Sequence, residues 1–193
     1  IIILHSAAGD SMSLLLKTAY WFQRRRGKLV MFIGNEYDLV DEKIDFMRSV
    51  ETDFICSQLP LETAKWLYAD CYHSEILSLP HALNPDAYYP DPCVQRTLDI
   101  GFIGAFYPYF IGDMERTELI RYFQKHVAKP GLKCDVRIDK LPREEWASFL
   151  RCCKGTVGAE AGTYYLDRKG RIINNAKTYL KRHPLATFEE IFE

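Results

Sequence analysis

What the sequence lacks narrows its function first. It has no surplus of charge: 25 Lys and Arg stand against 26 Asp and Glu, a formal net charge of −1, far from the basic footprint of a protein that binds nucleic acid duplexes. No apolar run approaches the roughly 20 residues that span a bilayer, so no transmembrane segment is expected. The start, IIILHS, has neither the basic flank nor the cleavage site of a signal peptide. Cys56, Cys71, Cys93, Cys134, Cys152 and Cys153 show no C-x-x-C and no Cys/His ligand spacing. That pattern predicts neither a metal site nor a redox dithiol, and a reduced, cytoplasmic setting. No G-x-G-x-x-G follows the first apolar run, and no Lys-Ser/Thr pair follows the later glycines. The dinucleotide fingerprint and the P-loop are therefore both missing, and no NAD cofactor is expected. His5, His73, His81, His126 and His183 are scattered and make no nucleophile–base pattern, which leaves the catalytic residues unknown. There is no initiating Met, and Thr187–Glu190 reads as a capping box that opens a helix just before the chain stops. Both ends are expected to be cuts in a longer protein.

What is present is ordinary globular composition, 48% hydrophobic and 13% aromatic, interrupted by one stiff stretch. Leu79 to Gly104 holds Pro80, Pro85, Pro90 and Pro92, so its front part can be neither helix nor central strand. Each X-Pro step favours extended geometry. The reading is therefore an N-terminal half over 1–79, a linker over 80–97 and a C-terminal half over 98–193. The first half carries more acid than base, and the second is mildly basic, which suits an anionic small ligand.

The front half repeats a strand-then-helix pattern. Short β-branched or apolar runs at Ile1–Leu4, Lys28–Gly34, Asp53–Ser57 and Ile76–Leu79 predict buried parallel strands. Helices are expected after the first three. In the first helix Leu15, Ala19 and Phe22 form the apolar face, with Leu14, Leu16, Tyr20 and Trp21 widening it. Arg24, Arg25 and Arg26 read either as a nucleic-acid patch or as a cationic helix end that complements the macrodipole. Ligands bind outside the carboxyl ends of strands in open α/β sheets. Asn35 and Glu36 therefore face a cleft or serve the turn itself, and His81 stands at the mouth of that cleft.

In the back half, Leu98 to Ala105 reads as a strand with a tight loop at Gly104 and Ala105. A helix starts near Asp113 or Glu115 with Arg116 in its first turn, where a cation is disfavoured unless an anion meets it. Arg116 is thus a phosphate ligand or one half of a surface ion pair. The stretch Gly155–Gly170 carries glycines that allow close approach of a ligand. Its two carboxylates, Glu160 and Asp167, either accept sugar or ribose hydroxyls or serve as a salt bridge and a turn cap.

Taken in order, IGNEYDLVDEKIDFM, LPHALNPDAYYPDP, DIGFIGA, EEWASFL and GAEAGTYYLDRKG resemble a bacterial glycosyltransferase of the GT-B fold, group 1-like, in the loose group with the CgeB-like spore-maturation proteins. In the last segment the match is Glu160-x-Gly162 followed by Asp167-x-x-Gly170. The resemblance implies an α/β protein of two Rossmann-like units. It implies a nucleotide-activated sugar held mainly by the second unit, with Gly104, Ala105, Arg116, Glu160, Gly162 and Asp167 on the donor side. The acceptor would meet Asn35, Glu36 and His81 of the first, and transfer would need no obligatory metal. A non-catalytic α/β binding or interaction module, a degenerate transferase fragment, is the other reading of the same chain.

Overall fold

The computed structural model describes residues 1–4, 6–126, 131–159 and 163–192. The chain is α/β and divides into two compact units, Ile1–His81 with Gly162–Glu193, and Ala82–Ala161. The sequence reading had placed all of 98–193 in one half. Residues 163–192 belong instead with the first unit, because Leu166 packs on that unit's core and two ion pairs, Arg168–Asp70 and Lys177–Asp38, tie the segment there. No helix or strand lies between residues 79 and 97.

The first unit carries four parallel strands, β1 (Ile2–Ile3), β2 (Val30–Phe32), β3 (Phe54–Ser57) and β4 (Glu75–Ser78), in the spatial order 1-2-3-4. Between them run α1 (Ser13–Gln23), α2 (Val40–Ser49) and α3 (Leu61–Leu67). Register puts Ile3, Met31, Ile55 and Ile76 in one row, and that row enters the core with Leu15, Ile44, Phe46, Met47 and Leu67. Successive strand side chains alternate between faces, so Ile2, Val30 and Phe54 form the opposite row, where Ile2 stays 64% exposed.

Helix α1 buries less than its pattern suggests. Leu15 is buried and Ala19 and Phe22 pack on the core, but Leu14, Leu16, Tyr20 and Trp21 all face solvent. Two of the arginines after it, Arg24 and Arg25, make contacts within the unit. Arg25 donates to Asp53 Oδ2 at 2.9 Å and to the carbonyls of Phe22, Val50 and Glu51. Arg24 lies over the Tyr20 ring. Asp53 also accepts from Lys28 Nζ and the Leu29 N–H, and Lys28, then Leu29, then Arg25 hold its carboxyl well below the usual carboxylate range. The end of α1 is thereby pinned to the start of β3.

The second unit has three parallel strands, β5 (Leu98–Ile103), β6 (Cys134–Arg137) and β7 (Cys153–Thr156), in the order 6-5-7. Its helices are α4 (Glu115–His126), which packs on β6, and α5 (Arg143–Arg151), which packs on β7 and β5. The core holds Ile103, Phe149 and Cys153, flanked by Leu98, Leu141, Trp146 and Leu150. Gly101 makes this core possible: a Cβ there would stand 2.2 Å from Cys153 Sγ and 2.9 Å from the Phe149 ring. Two further helices, α6 (Arg171–Arg182) and α7 (Phe188–Phe192), follow and pack on each other. The expected capping box caps the start of α7, with Thr187 N–H on Glu190 Oε2 at 2.7 Å and Glu190 N–H on Thr187 Oγ1 at 3.3 Å. Helix α6 was not anticipated from sequence.

Candidate functional site

In the first unit the carboxyl ends of β1 and β2 open onto a cleft of about 470 Å³ lined by Ser6, Gly9, Asp10, Gly34, Asn35, Gln58 and His81. Its shape depends on a buried lysine. Lys43 of α2 is 1% exposed and gives its three ammonium hydrogens to the carbonyls of Gly34, Asn35 and Asp38, each at 2.8 Å. Burial pulls its pKa down to about 8 against the opposing pull of Asp38, Glu36, Asp10 and Glu42. Those three bonds fix the loop from 34 to 39, whose Asn35 and Leu39 take left-handed backbone at φ 48° and 51°. Held in this way, Asn35 donates through Nδ2 to Asp10 Oδ1. Asp10 is exposed, and no Lys, Arg or His stands within ion-pair distance of it among the described residues.

Asn35 and His81 both line this first-unit cleft. Glu36 does not. It is 6% exposed and turns inward, accepting from Ser57 Oγ at 2.6 Å and Tyr68 Oη at 2.7 Å on Oε1, and from the Gln58 N–H at 3.0 Å on Oε2. A buried carboxylate needs such a full set of donors, and here they knit β2, β3 and α3 together. Asp10, Ser6 and Gln58 were missed. The rule that placed Asn35 at a strand's carboxyl end would have found Asp10, which sits in the turn after β1.

In the second unit the chain passes from β5 to β6 on one side and then across to β7 on the other, so the strand order reverses beside β5. Such a switch point is where open α/β sheets hold ligands, outside the carboxyl ends of the strands. Gly104 and Ala105 leave β5 at that end. Part of the smallness of Gly104 serves packing, since a Cβ would meet the Phe102 ring at 2.7 Å. Arg116, in the first turn of α4, is half-buried, and its guanidinium lies 4.1 Å from the centre of the Tyr107 ring. Its Nε is buried without a hydrogen-bond partner, and no carboxylate pairs with it among the described residues. The loop below is held by the Tyr107 N–H on Thr117 Oγ1 and by Asp113 Oδ1 accepting from the Glu115 N–H.

Glu160 and Gly162 lie outside the described residues. Asp167 is a helix cap: Oδ1 accepts from the Lys169 N–H and Oδ2 from the N–H groups of Arg171 and Ile172 at the start of α6. Burial pushes its carboxyl up, but the three N–H groups outweigh that and leave its pKa below the ordinary value. With Asp167 in the first unit, the expected donor residues divide between the two units. No group of three or more His, Cys, Asp or Glu is gathered for a metal ion among the described residues, and no helix there is long and apolar enough to cross a membrane. Comparison with family models, with curated proteins and with solved structures finds no match to this chain.

Proposed function

We propose that this chain belongs to a GT-B-like glycosyltransferase that moves a sugar from a nucleotide-activated donor to an acceptor hydroxyl. The second unit would bind the donor's diphosphate through Arg116 and the Gly104–Ala105 turn, and the first unit's cleft would bind the acceptor. In the reaction the acceptor oxygen forms a bond to the anomeric carbon and loses its proton, while the bond from that carbon to the nucleoside diphosphate breaks. Positioning and stabilisation of the leaving diphosphate supply the rate.

Arg116 carries the reading. The helix dipole disfavours a cation in a first turn, yet Arg116 stands there braced on Tyr107, without a carboxylate partner among the described residues and beside the switch point of a parallel sheet. A phosphate supplies the missing anion, and guanidinium is the group that grips phosphate in two places at once.

Calorimetric titration with uridine and guanosine diphosphates tests it. Arg116→Ala should weaken binding by roughly 1.5–3 kcal/mol, the scale of hydrogen bonds to charged groups, and should flatten its salt dependence. An unchanged dissociation constant removes the assignment.

A further inference from the structure

The first unit's cleft differs from the Arg116 region in one chemical respect: no Lys or Arg lines it among the described residues. Among the described lining residues Asp10 is the only acidic one, and it stands with the polar side chains of Ser6, Asn35, Gln58 and His81. Lys43, which holds the loop after β2, has all three hydrogens committed to backbone carbonyls and offers none to the cleft. Asn35 holds Asp10 by one carboxylate oxygen. Ionised, the other is an acceptor with no basic partner among the described residues.

We propose that this cleft takes an uncharged polyhydroxylated ligand and rejects its phosphorylated counterpart, with the Asp10 carboxylate, oriented by Asn35, receiving a ligand hydroxyl. This rests on the transferase reading for the ligand's role as acceptor. Three physical facts point the same way. A carboxylate accepts and cannot donate, so it matches the O–H groups of a sugar. A phosphate needs cationic or N–H donors that the lining side chains do not concentrate, and it meets Asp10 with like charge. The volume, about 470 Å³, falls in the range of roughly 300–1,000 Å³ common to small-molecule sites. The two units thus divide the chemistry by charge, with phosphate at Arg116 and neutral hydroxyls at Asp10.

Amide chemical-shift titration of the isotope-labelled 193-residue chain tests this with methyl glucoside and glucose 6-phosphate. Methyl glucoside should shift the amides of Gly9, Asp10, Gly34, Asn35 and Gln58, and glucose 6-phosphate should bind there roughly tenfold more weakly, the scale of a like charge nearby in water. Asp10→Asn keeps the oxygen that faces Asn35 and removes the charge, so the two affinities should come within about threefold of each other. Equal binding of the two sugars to the native protein overturns the proposal, as does a preference unchanged in Asp10→Asn or a cleft silent to methyl glucoside. A parallel titration with uridine diphosphate, read at Gly104, Tyr107 and Arg116, separates the two conclusions. Shifts there with a silent cleft leave the transferase reading standing without this inference; silence at both places removes both.

Discussion

The two units are built on the same principle with unequal resources. The first packs a continuous apolar core from Ile3 through Met31, Ile55 and Phe46 to Leu67, and then buries polar groups inside it: Lys43, Glu36, Ser57 and Tyr68, all hydrogen-bonded. The second gathers its core around Ile103, Phe149 and Cys153 and closes it by stacking Phe149 and Cys153 directly on the Cα of Gly101. A large core tolerates buried charge when every lone pair and hydrogen is met. A small one depends on close approach, because few contacts share the load.

The comparison breaks most visibly at Glu36. Glu36→Ala strands the hydroxyls of Ser57 and Tyr68 and the Gln58 N–H in a dry site, and should cost the first unit about 3–4 kcal/mol at the scale of buried donors left unmet. Hydrogen exchange should then quicken at Met31 and Ile55 and stay unchanged at Ile100 and Phe102. Equal loss in both units would show that they do not stand on separate cores.

Gly101→Ala runs the test in the opposite direction. The added methyl overlaps Cys153 Sγ, and overpacking of this kind costs about 1–3 kcal/mol. Faster exchange at Ile100 and Phe102, with Met31 and Ile55 unaffected, is the expected result. Retained protection at β5 would mean that the small core can yield.

Asp53 gives an effect no larger than Gly101 and adds a pH signature. Folded, its carboxyl binds a proton more weakly than in the unfolded chain, so the unfolded state takes up protons first as pH falls through about 4. The stability it contributes is present above that pH and is lost below it. Asp53→Asn should cost about 1–3 kcal/mol near neutrality through its weakened bonds to Lys28 and Arg25. It should also flatten the first unit's acid dependence, as followed by denaturant midpoints from pH 7 to pH 3. An unaltered acid profile would move that dependence to other carboxylates.

Much of the architecture was legible because it rests on local chemistry. The apolar runs at Lys28–Gly34 and Asp53–Ser57, and the helices after them, appear where the pattern put them, since a parallel strand must be apolar on both faces. The site was legible only in part. Asn35 follows β2 and lines the first unit's cleft. Glu36, one residue later, was misread because pattern cannot say which of two neighbouring polar side chains finds Ser57 and Tyr68, from β3 and the end of α3. The Arg24–Arg26 run carried a charge pattern but not its partner, Asp53, nearly thirty residues on.

By itself, then, the sequence determined the alternation of strands and helices, the capping box at Thr187, and the absence of dinucleotide and P-loop motifs, because each follows from side chains adjacent along the chain. Only the tertiary structure decided that residues after 162 return to the first unit, that Lys43 holds the cleft loop from beneath, and that Asp10 and Asn35 meet. Those outcomes depend on which distant groups can satisfy a buried charge or an open carbonyl, and pairing of that kind is set by packing in three dimensions.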